Sequence, residues 1–521
     1  MAERESGVQA KTISALMAIT LVGKVLGLLR ERLLAVNYGS GIEASAFLTA
    51  SQIPRLFFDV VFASAISACF IPVFSEVLTQ KGRKEAFRLG SLFLTVMLLL
   101  AAVLSAAGMA FSEPLARLFS DAADPTALAL TAKLTRMLFP TALFTAAAFS
   151  FVGLLQSLGN FHVPALISAV SNGVVIAYYL IFNDRFGMTG LAVAFLVGWF
   201  LQAAVQVPSL YKLGYRYEPR LTLKDENLKK MFLLMPSVMV STWVQPVNSS
   251  IATRYGWQIF DGAGVNMVGH ANNLYLVITG VLVLSITNVL FPKLSRLTAE
   301  GNQAAFDETL RGSLRGCLFL VFPMTAGLII VAEPLISLVF GGGAYSSSDV
   351  SHTAACLAAA ALGMTGFAVQ NILSRAYFAK QKGKIPLLAG AASIAVNLFL
   401  CQIWSGPLEA RGLALAASVS ALVYAALLLI PMQKRGNLLL NRSLLSALLR
   451  MVAAAAMMAV PTWFVMGAVS GLVAGKIGLV LTLAVTAAIG GLCYGIAAWA
   501  LGLDEAKAVL AAISRKRGGN A

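Results

Sequence analysis

The chain carries fourteen apolar stretches of about 20 residues or more, joined by connectors too short to form separate domains. A stretch of this length crosses the hydrocarbon core of a bilayer as one α-helix. The apolar fraction of 58% also exceeds what a soluble chain of 521 residues needs. We therefore predict an all-α polytopic membrane protein with about 14 transmembrane helices. The predicted spans are residues 12–37, 44–76, 86–112, 126–157, 163–183, 187–210, 228–254, 265–292, 312–333, 350–376, 385–405, 411–433, 444–468 and 476–502.

The first twelve spans form a weak internal repeat. Glu113-Pro114-Leu115 matches Glu333-Pro334-Leu335, and Gly190-Leu191-Ala192 matches Gly412-Leu413-Ala414, both in order and at an offset of 220–222 residues. Further matches are Pro72 with Pro292, Thr131 with Thr353 and Pro164 with Pro386. Such a repeat predicts two pseudo-symmetric six-helix lobes, an organisation typical of transporters that bind substrate between the halves. The predicted division is a first lobe at 1–210, a linker at 211–227, a second lobe at 228–436, two extra helices within 437–503 and a basic tail at 504–521.

The positive charges are distributed unevenly over the connectors. If successive connectors lie on opposite sides of the membrane, 28 of the 39 Lys and Arg residues fall on the side of the N-terminus. Only five fall on the other side, and six lie inside spans. The positive-inside rule then predicts that both termini are cytoplasmic. It also accounts for the net charge of +16, so no nucleic-acid partner is expected.

Reactive and metal-binding residue types are dispersed along the chain. The five cysteines and three histidines show no ligand spacing, and no nucleotide-binding motif is present in the sequence. We therefore expect no metal site, no cofactor and no catalytic residues.

The first predicted span contains four ionisable residues, Lys24, Arg30, Glu31 and Arg32. Charges inside a membrane are costly and require a partner, a wet cavity or a route to the headgroups. Lys24 lies roughly 18 Å along this helix and shares a face with Glu31, and Arg30 is displaced by roughly 120°. This pattern predicts a cationic cavity for a phosphate or pyrophosphate group. One alternative is that Glu31 only neutralises Lys24 or Arg32, and another is that Arg30 and Arg32 extend to the headgroups.

The second span and the second half of the chain provide further polar candidates. Arg55 and Asp59 are four residues apart on one helix, which fits either a structural ion pair or a substrate contact. The corresponding wall of the second lobe carries no charge. Its polar candidates are Gln245, Asn248, Asn272 and Asn273.

Four segments resemble motifs of the MurJ/MviN lipid II flippases, members of the multidrug/oligosaccharidyl-lipid/polysaccharide exporter superfamily. These segments are GKVLGLLRE at 23–31, SAFLTASQIPR at 45–55, LVFGGGAY at 338–345 and SRAYFA at 374–379. The resemblance extends over about residues 12–433. It implies a non-enzymatic flippase of the bacterial cell membrane. Such a protein moves an undecaprenyl-pyrophosphate-linked saccharide-peptide from the inner to the outer leaflet by alternating access.

The resemblance also implies roles for particular residues. Lys24 and Arg30 would hold the pyrophosphate and headgroup of lipid II, and the last two helices would form a groove for its polyprenyl tail. The predicted substrate-binding residues are Lys24, Arg30, Glu31, Arg55, Asn272 and Asn273. The expected partners are lipid II or a related precursor and membrane lipids. The sequence leaves the oligomeric state open, and a monomer is compatible with it.

The chain departs from the family pattern at several usually charged positions. These positions are Ser45, Phe58, Asn272, Asn273 and Leu276. We hypothesise that Arg55 supplies the charge that Phe58 lacks. The departures leave open an exporter of another polyprenyl-linked saccharide or a multidrug exporter, and an integral-membrane polyprenyl-phosphate transferase is a further alternative. The sequence does not indicate whether membrane potential, Na⁺ or H⁺ drives transport.

Overall fold

The computed structural model describes residues 2–121, 124–222, 224–433, 441–470 and 475–507. Within these ranges, side chains are described outside residues 2–17, 59–65, 67–68, 234, 236–242 and 284. The regular elements of the described residues are helices, which fits the predicted all-α class. Contacts divide the chain into two compact units, Met1–Asn266 and Met267–Ala521. The predicted basic tail beyond residue 507 lies outside the described residues.

The first unit begins with helix α1, which includes the charged segment 23–31, and ends at the start of α12. Its α-helices are α1 Ala2–Tyr38, α2 Ile42–Ala65, α3 Ile71–Ala110, α4 Ser112–Phe119, α5 Pro125–Leu138, α6 Thr141–Ser157, α7 His162–Ile181, α8 Asn183–Ala204, α9 Val207–Lys212, α10 Glu226–Thr242 and α11 Val244–Gly256. A π-helical turn, Ile66–Phe70, joins α2 to α3, and a short 3₁₀ turn, Phe260–Gly262, precedes α12.

The second unit contains most of α12 and all later helices. They are α12 Ala263–Ala299, α13 Gln303–Val339, α14 Ser347–Ala361, α15 Met364–Ala379, α16 Lys384–Trp404, α17 Glu409–Gln433, α18 Arg442–Val469 and α19 Gly475–Ala500. Helix α17 packs against α14, α15 and α16, and α13 packs against α18 and α19. The C-terminal helix pair α18–α19 therefore packs on α13 within the second unit.

Long apolar helices show that the chain is a multi-pass membrane protein. In the described part of the chain, nine helices are long and apolar enough to cross a membrane, or up to eleven if two bent pairs each count as one span. The predicted number of 14 is therefore not confirmed. The three predicted spans outside this set correspond to α1, α2 and the pair α10–α11.

The core of the first unit contains two apolar clusters. One is rich in phenylalanine, and Phe58, Phe70, Phe74 and Phe93 in it are each at most 2% exposed. The other includes Phe47 of α2 and residues of α1, α5, α7 and α8. These clusters fix α1, α2, α7 and α8 relative to one another, and these four helices carry the candidate site.

The connector after α9 is bound to the middle of α3. The Tyr215 hydroxyl lies 3.1 Å from Ser91 Oγ, and the Tyr217 hydroxyl lies 3.0 Å from Thr95 Oγ1. Burial raises the pKa of Tyr215 to about 12, so its phenol stays protonated at neutral pH. This part of the predicted linker is therefore an ordered segment of the first unit.

Candidate functional site

Helix α1 packs closely against α7 at two glycines of the segment 23–31. A Cβ atom on Gly23 would lie 2.7 Å from Ser168 Oγ, and one on Gly27 would lie 3.5 Å from Asn172 Nδ2. Small residues four apart allow helix backbones to approach within lipid. Asn172 uses this approach, since its Nδ2 donates a hydrogen bond to the Gly23 carbonyl at 3.2 Å. The two glycines thus bring a buried amide to the face of α1.

The same amide holds Arg30. Arg30 Nη1 donates to Asn172 Oδ1 at 3.0 Å, and Arg30 Nη2 forms a hydrogen-bonded ion pair with Glu31. The guanidinium carbon lies 5.3 Å from the centroid of the Phe195 ring on α8. The side chain of Arg30 is 24% exposed and that of Glu31 is 13% exposed. Arg30 is therefore held by three helices and remains accessible.

A guanidinium held in this way is suited to an anionic group. It has five N–H donors in a planar fork, and the bonds to Asn172 and Glu31 occupy only part of them. Oxygens of a phosphate or pyrophosphate match the remaining donors. Glu31 offsets the charge of Arg30, so the net positive charge of the segment 23–32 comes from Lys24 and Arg32. We name Arg30, Glu31, Asn172 and Phe195 the Arg30 cluster.

Lys24 lies on the same helix but outside the Arg30 cluster. Its side chain is exposed, and it makes no hydrogen bond or ion pair with the described residues. It lies six positions before Arg30, a rise of about 9 Å along the helix axis. The predicted role of Lys24 as a substrate contact stays a prediction.

Phe58 occupies the core of the first unit. It is 2% exposed and packs edge-to-face on Phe139, with 6.3 Å between the ring centroids. Arg55 is exposed on α2. The side chain of Asp59 lies outside the described residues, so the predicted Arg55–Asp59 pair is not tested.

Ser45 is buried at the start of α2 and makes two hydrogen bonds. Its Oγ donates to the Gly262 carbonyl at 2.8 Å and accepts from Asn266 Nδ2 at 2.5 Å. A hydroxyl can do both at once, whereas a carboxylate can only accept. Ser45 therefore serves as a packing contact between α2 and the start of α12 within the first unit.

A row of uncharged hydrogen bonds joins α2 to α11, and we name it the α2–α11 seam. Gln52 Nε2 donates to Ser249 Oγ at 3.2 Å and to Ser250 Oγ at 3.3 Å. Thr253 Oγ1 donates to Gln52 Oε1 at 2.6 Å. One turn away, the indole Nε1 of Trp257, which follows α11, donates to Thr49 Oγ1 at 2.9 Å. Thr49 and Gln52 share one face of α2, since they are about one turn apart.

The remaining polar candidates lie in different units. Gln245 and Asn248 are partly buried on α11 in the first unit. Asn272 and Asn273 are partly buried on α12 in the second unit, and neither side chain forms a hydrogen bond to the described residues. Their amides thus retain hydrogen-bonding capacity, and their substrate role stays a prediction.

Reasoning from sequence missed Asn172 and Phe195 of the Arg30 cluster. Asn172 lies in the middle of the apolar span 163–183, and a polar side chain inside a membrane span is a signal that could have identified it. No comparable signal marks Phe195, because phenylalanine is ordinary in such a span.

A family model described as "Lipid II flippase MurJ" matches residues 34–483. The chain is 28% identical over 464 residues to the probable lipid II flippase MurJ of Rhizobium meliloti, with 86% of this chain and 85% of the relative covered. It is 27% identical over 438 residues to the lipid II flippase MurJ of Burkholderia cenocepacia, with 82% and 84% covered.

Solved structures show the same fold. A lipid II flippase MurJ in an inward closed conformation matches with a TM-score of 0.77 and 22% identity, over 93% of this chain and 99% of that one. An inward-facing multidrug resistance transporter of the MATE family matches with a TM-score of 0.67 and 13% identity, over 82% of this chain and 98% of that one. At these identities the likeness concerns the fold alone.

Proposed function

The chain belongs to the lipid II flippase MurJ family, and from this membership we propose that it moves lipid II across the membrane. The family model covers residues 34–483, from α1 into α19. The curated relatives are matched over more than four fifths of their own length. The proposal therefore concerns the whole transport cycle, not a single domain.

The Arg30 cluster is the observation that carries this proposal. Lipid II bears a pyrophosphate, and a partly exposed guanidinium fixed by an amide, a carboxylate and an aromatic ring is a suitable partner for it. Placing an arginine inside a membrane helix costs free energy, and such residues usually contact a partner or a substrate. We infer that the pyrophosphate takes up donors of Arg30 that Asn172 and Glu31 leave accessible.

We further propose that the protein acts by alternating access and changes no covalent bond of its substrate. The name of the relative in an inward closed conformation supports such a cycle. The distribution of Lys and Arg supports cytoplasmic termini in the inner membrane of a bacterium. Lys24, Arg55, Asn272 and Asn273 are the further residues that we propose to contact the headgroup.

A second candidate substrate is another polyprenyl-linked saccharide. This candidate is favoured by positions that are usually charged in the family and are uncharged in this chain. Phe58 is buried in the core, and Asn272 and Asn273 offer amides where charges were expected. An amide and a sugar hydroxyl can each both donate and accept a hydrogen bond, whereas a carboxylate can only accept. The second candidate would therefore differ from lipid II in its headgroup.

The test is translocation of fluorescent lipid II by the purified chain in liposomes, comparing native protein with Arg30→Ala. A charge-assisted hydrogen bond contributes about 1.5–3 kcal/mol, so we expect a loss of roughly ten- to hundredfold. Arg30→Lys should fall between the two, because it retains charge but loses the planar fork.

Arg117→Ala is the matched control. Arg117 is also paired with a neighbouring acid, Glu113, but its side chain is 65% exposed on α4. We expect native transport from this variant. Native transport by Arg30→Ala would refute the role of the Arg30 cluster. Transport of a peptide-free polyprenyl saccharide in preference to lipid II would support the second candidate instead.

A further inference from the structure

The C-terminal helix pair has a groove at one end, apart from the Arg30 cluster. It has a volume of about 410 Å³ and lies where the first turns of α18 meet the residue that follows α19. Its lining residues are Arg442, Leu445, Ser446, Leu449, Arg450, Ala453 and Leu501. All but the last lie on α18 at the spacing of a single helix face.

The groove combines two cations with an apolar floor. Arg442 and Arg450 are both exposed and are separated by two turns, a rise of about 12 Å. Between them, Leu445 is 54% exposed and Leu449 is 64% exposed. A ligand that fits this surface has an anionic head and an apolar chain.

The charge of both arginines is available to such a ligand. Among the described residues, neither Arg442 nor Arg450 forms an ion pair. Arg450 Nη1 donates to the Leu501 carbonyl at 3.4 Å, a contact that orients the side chain and leaves its charge in place.

The acids beside this end of the pair are already engaged. Glu505 binds Arg315 of α13 at 2.7 Å, and Asp504 binds the same guanidinium at 3.3 Å. The local acids thus compensate Arg315 and not the groove. The groove retains two formal positive charges at a helix end, where phospholipid headgroups lie.

We propose that this groove binds an anionic phospholipid, with its phosphate between Arg442 and Arg450 and an acyl chain along Leu445 and Leu449. Basic pockets between transmembrane helices are suited to lipid phosphates, since the cations are partly desolvated and the chain is buried at the same time. The bound lipid would hold the end of α18 against the end of α19. The site does not depend on the identity of the transported substrate.

The experiment measures thermal unfolding of the detergent-purified full-length chain while dioleoylphosphatidylglycerol or dioleoylphosphatidylcholine is added. The native protein should saturate at lower concentration with the anionic lipid. Each basic residue contributes about 1 kcal/mol at an anionic surface, so Arg442→Gln with Arg450→Gln should raise the half-saturating concentration of phosphatidylglycerol roughly 30-fold. The double lysine variant should stay within a few-fold of native, because it retains both charges.

Arg83→Gln with Arg88→Gln is the matched control, since it removes two exposed arginines of α3 in the first unit. We expect native phosphatidylglycerol binding from it. The proposal is overturned if native protein responds equally to both lipids, or if the control pair weakens binding as much as the groove pair. It is also overturned if undecaprenyl phosphate, and not phosphatidylglycerol, shows the dependence on Arg442 and Arg450. Equal responses of the native protein to the two lipids overturn the proposal even if a variant does not fold.

Discussion

At the scale of single residues, Asn172 explains how Arg30 is oriented. Its amide accepts from the guanidinium through Oδ1 and donates to the Gly23 carbonyl through Nδ2. Aspartate could accept but not donate, and it would add a second negative charge beside Glu31. Asn172 is therefore a positioning residue of the Arg30 cluster.

Asn172→Leu should reduce lipid II translocation, though less than Arg30→Ala. One neutral-to-charged hydrogen bond is lost, so we expect roughly a tenfold drop, mainly as a higher half-saturating concentration of lipid II. The control is Asn183→Leu, because Asn183 also bonds α1, through the Tyr38 hydroxyl. A native half-saturating concentration in Asn172→Leu would show that Arg30 needs no such support.

Prediction from sequence reached part of this site. Arg30 and Glu31 stand out because ionisable residues are rare in an apolar span. Asn172 contacts Arg30 across 142 positions, and local patterns do not report such a contact. Phe58 was first interpreted by the charge it lacks, whereas its burial against Phe139 depends on the packing of α2 on later helices.

At the scale of helices, the approach of α1 to α7 depends on Gly23. A leucine there would overlap Ser168, and overpacking costs about 1–3 kcal/mol. We expect Gly23→Leu to lower the thermal stability of the purified protein accordingly. Gly173→Leu is the control, since no atom lies within 4 Å of its Cβ position. Equal melting temperatures for the two variants would contradict the close approach.

Helix positions were predicted well where the chain continues straight. The span 385–405 corresponds to α16 Lys384–Trp404, and 476–502 corresponds to α19 Gly475–Ala500. The span 350–376 is instead divided into α14 and α15, which are bent by 43°. Hydropathy reports the composition of a segment and not its direction. At the bend, Gly363 packs closely on α17, since a Cβ atom there would lie 2.7 Å from Ser418 Oγ.

At the scale of the whole molecule, the charge distribution predicts sidedness. We expect Ser347→Cys to react with an external impermeant thiol reagent, and Arg216→Cys to react only after the membrane is opened. Both positions are exposed. The native cysteines should first be replaced, so that the introduced thiol is the one that reacts. Labelling of Arg216→Cys in intact cells would contradict the predicted orientation.

The repeat and the contacts divide the molecule at different places. The repeat predicts a boundary at 211–227, and that division stays a prediction. The chain passes from the first compact unit to the second after Asn266, and α11 belongs to the first unit, where the α2–α11 seam binds it to α2. Apolar composition alone cannot reveal this, since serine, threonine and glutamine in a span give no indication of their partners.

The α2–α11 seam has a consequence for how transport responds to conditions. Its partners are hydroxyls, an amide and an indole, none of which gains or loses a proton between about pH 4 and pH 9. Counter-ions have no charge to screen there. The strength of this contact should therefore be the same in acid or alkaline medium and in dilute or concentrated salt. An ion gradient that drives the cycle must act on other residues, and acidification or salt should leave the contact between these two helices unchanged.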